Sequence, residues 1–141
     1  ISNFAKEGFF SKHNSNYWKG EHYLGLGPSA HSFDGNSRQW NVANNNLYIK
    51  YIQEKSEAYF EKEILTETER YNEYILTSLR TIWGVDLNYL KTNFNSEFVK
   101  DFNSKISDYI KQETVVVKDT TYTLTEKGKL LADKIASELF V

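Results

Sequence analysis

Between residue 64 and the C-terminus the apolar residues change period three times, and few folds satisfy that order. Tyr71, Ile75, Leu79 and Ile82 recur at three- and four-residue steps behind a Thr66-x-x-Glu69 capping box. This predicts a helix over 67–83, closed by Gly84 at C′. Leu87 and Leu90 predict a short helix over 86–93. Asn95 or Ser96 can cap the next helix, in which Phe98, Phe102, Ile106 and Ile110 fall at every fourth position. The period then drops to two. Val115 and Val117 alternate with Val116 and Lys118, and Tyr122 and Leu124 with Thr121 and Thr123, around a Lys118-Asp119-Thr120 turn. That is a β-hairpin. Thr125 caps a last helix with the stripe Leu131, Ile135 and Leu139, and with Leu130 beside it. Helix, short helix, helix, hairpin, helix is the order of a winged-helix module, assigned here to 64–141.

Upstream the pattern weakens. Leu47, Tyr48, Tyr51, Ile52, Ala58 and Tyr59 keep helical spacing, ragged around Glu54 to Glu57, and predict a linker helix over 46–63. Residues 1–45 are rich in Gly, Asn, Ser and aromatics and show no helical period. A short strand is expected over 23–27, then a bend at Pro28, the only proline, and a turn over 31–35.

Charge and composition exclude several classes. The chain has 141 residues, 17 basic and 19 acidic, for a net charge of −2, so no global field draws it to nucleic acid or anionic lipid. No stretch approaches the ~18 apolar residues of a membrane span. With no cysteine it can form neither a disulfide nor a thiolate metal site within itself, and a cytoplasmic location is expected. The chain opens on Ile1 and contains no Met, which we read as a C-terminal piece of a longer protein.

Two strings in the first third carry the chemistry. His13-Asn14-Ser15-Asn16-Tyr17-Trp18 is followed by Tyr23-Leu24-Gly25-Leu26-Gly27-Pro28-Ser29-Ala30-His31-Ser32-Phe33. Together they resemble the oxygen-independent coproporphyrinogen III oxidase-like family of radical-SAM proteins. The resemblance is to its heme chaperone branch, in which His-Asn-x-x-Tyr-Trp precedes Gly-x-Gly-x-x-Ala-His-Ser. It continues in Arg38-Gln39-Trp40-Asn41, Leu65-Thr66-Glu67, Leu79-Arg80-Thr81 and Leu124-Thr125-Glu126-Lys127-Gly128, and so covers nearly the whole chain. One departure is Glu7, which stands where a proline-like turn residue is expected after Phe4-Ala5-Lys6.

The resemblance implies an α+β fold in which residues 1–45 end a radical-SAM barrel and a mainly helical winged-helix-like domain follows. It implies that His13 ligates heme iron, that Asn14 orients the imidazole, and that Tyr17 and Trp18 cover the porphyrin. A surface histidine whose aromatics plug the barrel edge explains the same string. It also implies that Gly25, Gly27, Ser29, His31 and Ser32 line the barrel cavity, although a tight structural turn accounts for them equally. Gly25 to Ala30 formally match a dinucleotide fingerprint, but no helix is expected to open after them and the window near residue 45 is asparagine. That reading is rejected. His13, His22 and His31 are spaced by nine residues, which fits no familiar zinc pattern. Arg38 and Trp40 suit a propionate and a ring face, or a loop staple. Arg80 suits a helix C-terminus.

By resemblance the parent holds a 4Fe-4S cluster and S-adenosylmethionine in a preceding barrel. This cysteine-free piece alone is not expected to catalyse a radical reaction. The parent is then either a heme chaperone, passing heme to recipient proteins, or a coproporphyrinogen III oxidase that decarboxylates propionates. The His13 string favours the chaperone. A nucleic-acid-binding winged helix is the contrasting reading. In the candidate recognition helix, however, Lys100, Lys105 and Lys111 are balanced by Glu97, Asp101 and Asp108. Net positive surface is what releases phosphate counterions, so no nucleic acid partner is expected, while a protein-docking module stays open.

Overall fold

A computed structural model describes Ile1 and residues 4–141. In chain order the elements are α1 (Lys12–Trp18), β1 (His31–Phe33), β2 (Ser37–Asn41), α2 (Asn45–Gln53), a 3₁₀ turn (Glu57–Tyr59) and β3 (Phe60–Ile64). They continue with α3 (Glu67–Leu79), β4 (Val85–Asp86), α4 (Leu87–Asn93), α5 (Ser96–Lys111), β5 (Val115–Lys118), β6 (Thr121–Leu124), α6 (Glu126–Lys129) and α7 (Ala132–Glu138). The described residues thus hold seven α-helices and two three-stranded antiparallel sheets, ordered β1-β2-β3 and β4-β6-β5. They form two compact units, a terminal unit of Ile1–Trp18 with Glu67–Val141 and a middle unit of Lys19–Thr66. No described helix is long and apolar enough to cross a membrane.

The terminal unit owns the main core. Tyr71, Ile75 and Leu79 of α3, Phe102 and Ile106 of α5, and Ile135 and Leu139 at the C-terminal end are all essentially inaccessible. Each such side chain contributes roughly 1.5–3 kcal/mol by leaving water. The stripe of α5 centres on Val99, Phe102, Ile106 and Tyr109, with Phe98 and Ile110 flanking it half-buried. Asn95 caps this helix and Asp86 caps α4, each accepting from an amide two residues on. Burial holds the Tyr71 phenol above the usual tyrosine range, and its hydroxyl donates to the Leu139 carbonyl at 3.3 Å.

Two stripe ends differ from expectation. Helix α3 stops at Leu79 rather than at residue 83, because the chain tightens into turns in which Arg80 and Thr81 donate to Thr77 and Ser78. Ile82 therefore faces solvent at 63% exposure. The last helix is broken in two at Leu130 and Leu131, which leaves Leu130 exposed and hands the stripe to Ala132, Ile135, Ala136 and Leu139. Strand β4 also escapes the sequence reading. Its two residues pair with Tyr122 and Thr121 of β6, and a Cβ on Gly84 would lie 2.2 Å from the Tyr122 carbonyl oxygen.

The middle unit departs from an expected turn, an expected strand and part of an expected helix. Residues 31–33, expected as turn, are strand β1, paired with β2 in the register His31–Trp40, Ser32–Gln39 and Phe33–Arg38. The turn comes one step later, at Asp34 and Gly35, which has φ +89°. Asp34 builds it: its carboxylate accepts from the Ser37 hydroxyl at 2.7 Å and from the amides of Asn36 and Ser37 at 3.0 and 2.6 Å. These bonds, that from the Ser37 hydroxyl above all, lower its pKa to about 2. The expected strand over 23–27 reduces to a single bridge between Tyr23 and Phe33. The helix expected over 46–63 ends at Gln53. Lys55 at φ +53° turns the chain, and residues 60–64 become β3 beside β2.

Candidate functional site

The His13 string forms a helix, contrary to the aperiodic reading. Ser11 starts it, its hydroxyl accepting from the Asn14 amide at 3.3 Å, and Gly20 at φ +69° follows its end. Helical spacing sorts the string into two pairs. His13 and Tyr17, four apart, share one exposed edge, with rings 4.8 Å apart at 81°. Asn14 and Trp18, also four apart, line a cleft. The buried residue of α1 is Ser15.

On the exposed edge, His13 Nε2 lies 3.3 Å from the Tyr17 hydroxyl and Nδ1 lies 3.5 Å from Asn14 Oδ1. In the tautomer with Nδ1–H directed at the carboxamide oxygen, Nε2 carries the lone pair and can accept from the phenol. That arrangement fits an axial heme ligand, an exposed imidazole whose second nitrogen is already oriented. The structure brings His13, Asn14 and Tyr17 together and turns Trp18 to the other face.

The glycine string is built as a turn in the middle unit. A Cβ on Gly25 would fall 2.1 Å from the His31 carbonyl oxygen, so only glycine fits against β1. The Gly25 amide donates to the Ser32 hydroxyl at 3.0 Å, and the Gly27 amide to the Tyr48 hydroxyl at 3.3 Å. Buried Asn41 donates to the carbonyls of Gly27 and Gly25 at 2.9 and 3.4 Å. Ser29 stands at φ +60°, its amide donating to the Val42 carbonyl. His31 is exposed, its ring 6.4 Å from that of Trp40, whose indole donates to Glu61 at 3.2 Å. Strand β1, not a helix, follows the string, which is the physical reason a dinucleotide cannot be cradled there. Among the described residues no three His, Asp or Glu side chains gather as a metal site.

The cleft lies within the terminal unit and measures about 710 Å³. Phe10, Trp18 and Trp83 give it aromatic walls, and Arg80 and Lys129 give it positive charge. The Phe10 and Trp83 rings meet edge-on at 6.4 Å. Sequence reasoning missed this site because its walls come from segments about sixty residues apart. The available signal was the second i, i+4 pair, Asn14 with Trp18.

Comparison with known proteins places residues 65–131 in the family described as the HemN C-terminal domain. Heme chaperone HemW of Bacillus subtilis is 33% identical over 96% of the chain and 36% of its own length. The Lactococcus lactis heme chaperone HemW is 28% identical over 96% of the chain and 35% of its own length. The chain thus spans about a third of the curated relatives it matches. In fold it is similar to the radical-SAM enzyme coproporphyrinogen III oxidase (HemN) of Escherichia coli, with a TM-score of 0.62, 22% identity, and coverage of 86% of this chain and 29% of that one.

Within the HemN C-terminal domain, the Leu124 to Gly128 string is a joint. The Thr125 hydroxyl accepts from the Gly128 amide at 3.1 Å and donates to the Glu113 carbonyl at 2.8 Å. A Cβ on Gly128 would lie 1.9 Å from the Thr114 carbonyl oxygen. His13 lies outside residues 65–131, in a part of the chain that the alignments with the HemW relatives cover.

Proposed function

We propose that the chain is the C-terminal portion of a radical-SAM heme chaperone and that α1 presents His13 to heme iron. The observation that carries this is the exposed imidazole of His13, oriented by Asn14 and backed by Tyr17. The HemW relatives, aligned over nearly the whole chain, supply the cargo. Heme brings an iron with an axial position that a neutral imidazole nitrogen fills. Asn14 orients the imidazole, Tyr17 and Trp18 cover the porphyrin, and recipient proteins accept the heme in the cytoplasm.

In this reading residues 1–45 complete a barrel whose preceding part binds the 4Fe-4S cluster and S-adenosylmethionine. Gly25, Gly27, Ser29, His31 and Ser32 face its cavity, 46–63 link onward, and 64–141 form a winged-helix-like domain. The sheet order β4-β6-β5 and the helix-helix-helix-hairpin-helix succession support the last point. The pairing of Lys105 with Asp101 at 2.7 Å and of Lys111 with Asp108 at 2.9 Å neutralises much of α5, which suits a protein or heme partner rather than a phosphate backbone.

The test is anaerobic incubation of the full-length protein with coproporphyrinogen III, S-adenosylmethionine and a reductant, beside a heme titration. A chaperone binds heme stoichiometrically and releases no propionate carbon dioxide. Decarboxylation at enzymatic rates overturns the reading in favour of the oxidase.

A further inference from the structure

We propose that the outer edge of strand β5 is a protein-docking site, which takes an extended segment of another protein as a fourth strand of the β4-β6-β5 sheet. The segment is apolar at alternate positions and carries a basic residue at each end. The proposal is independent of the heme reading, since it uses no residue of the His13 or glycine strings.

The hairpin decides which groups face that edge. The Thr114 carbonyl accepts from the Thr125 amide at 3.1 Å. From there β5 runs in the register Val115–Leu124, Val116–Thr123, Val117–Tyr122 and Lys118–Thr121. Hydrogen-bonded and non-bonded pairs alternate along an antiparallel ladder. Thr114, Val116 and Lys118 therefore bond to β6, while Val115 and Val117 direct their amides and carbonyls away from it. Strand β6 shows the same parity. The Thr120 carbonyl accepts from the Leu87 amide at 2.9 Å and the Tyr122 carbonyl is turned to Gly84, both on the β4 side. Among the described residues no other element bonds the outward groups of Val115 and Val117.

The two edges of this sheet are treated differently. Strand β4 has only two residues, and the Asp86 amide is taken up by the Tyr74 hydroxyl at 2.9 Å. Edge strands are ordinarily blunted by proline, a bulge or several charges. Strand β5 reads Val-Val-Val-Lys, pairs with β6 without a bulge, and leaves Val116 49% and Val117 41% exposed. Its one charge, Lys118, shares the outer face with Val116. Val117 shares the inner face with buried Val115. An added strand thus finds main-chain bonds along the edge and apolar side chains at alternate positions, the two elements of strand addition.

Charge selects the occupant. Glu113 and Asp119 stand exposed at the two ends of the edge, and among the described residues neither carboxylate is in an ion pair. Basic residues flanking an incoming segment answer both. A second copy does not. Two-fold pairing about Val116 sets Val115 against Val117, but it brings Glu113 of each copy beside Asp119 of the other, and opposed like charges destabilise a ladder. Pairing about Val115 or Val117 sets a strand residue against Glu113 at φ +59° or Asp119 at φ +54°, where the chain has left the extended conformation.

Site-resolved amide hydrogen exchange of the full-length protein tests this with two peptides, Lys-Thr-Val-Thr-Val-Thr-Lys and Glu-Thr-Val-Thr-Val-Thr-Glu. Alone, the protein is expected to exchange the Val117 amide fast and the Val116 amide slowly at every protein concentration. Saturation with the lysine peptide slows Val117 at least about tenfold and leaves Val116 as it was. The glutamate peptide binds about threefold more weakly. Val117→Pro removes an outward donor and spares the β6 ladder. It weakens the lysine peptide at least about fivefold while Val116 stays protected. Glu113→Gln with Asp119→Asn brings the two peptides to equal affinity, and decides the matter if the proline variant does not fold. A Val117 amide that neither peptide slows overturns the proposal, as does equal affinity of the two peptides for the unmodified protein. A Val117 amide already slow without peptide also overturns it. The edge is then covered by a second copy if the slowing grows with protein concentration, and by the protein's own chain if it does not.

Discussion

The Tyr17 hydroxyl lies 3.3 Å from Nε2 of His13, one helical turn earlier on α1, and so occupies the nitrogen that an iron would use. If His13 is the heme ligand proposed above, heme binding has to exchange that contact for a metal bond.

Tyr17→Phe keeps the ring and removes the competitor. A hydrogen bond of this kind is worth about 0.5–1.5 kcal/mol. Heme affinity of the full-length Tyr17→Phe protein is therefore expected to rise about twofold to tenfold, read by absorption titration. A fall would mean that the hydroxyl serves the bound state instead.

Gly128→Ala tests the joint between hairpin and last helix. The new methyl would sit 1.9 Å from the Thr114 carbonyl oxygen, and Thr114 is itself only 1% exposed. Backbone on both sides leaves little room to yield, so a loss of about 2–3 kcal/mol is expected in urea unfolding. Thr125→Ala removes the cap and the bond to the Glu113 carbonyl without a clash, and should cost about 1–2 kcal/mol.

Asp34 gives the middle unit an acid limit. Bonds from the Ser37 hydroxyl and the amides of Asn36 and Ser37 lower its pKa from the ordinary 3.8 to about 2. The folded value lies below the unfolded one. The contribution to stability is therefore complete above pH 3.8 and is lost as pH falls through about 2. Carboxyl chemical shifts followed against pH should titrate Asp34 near 2, and Ser37→Ala should move that midpoint upward. A midpoint at 3.8 in the unmodified chain would contradict the turn geometry.

Segments with a repeated apolar signal were legible in the sequence, including the seven-residue α4 with Leu87 and Leu90, whereas α1 and β4 were not. The i, i+4 spacing of Phe102 and Ile106 and the alternation around Asp119 fixed α5 and the hairpin, because several residues repeat each signal. Helix α1 spans seven residues, too few for its His13–Tyr17 and Asn14–Trp18 pairs to stand out from an aperiodic background. Strand β4 has two residues and exists because β6 offers it an edge. The Leu130–Leu131 break leaves apolar residues in sequence where the fold exposes them, so hydrophobicity alone placed them inside. The candidate ligand His13 was legible as a residue. Its partner Tyr17 at hydrogen-bonding distance, and the cleft on the opposite face of α1, required the fold.

The central claim is that His13 binds heme iron, and absorption-monitored heme titration of the full-length protein beside His13→Ala tests it most directly. The account predicts tight stoichiometric binding with an imidazole-type Soret band, and in the variant an affinity about tenfold or more lower with that band shifted. Identical spectra and affinities in the two proteins would contradict it.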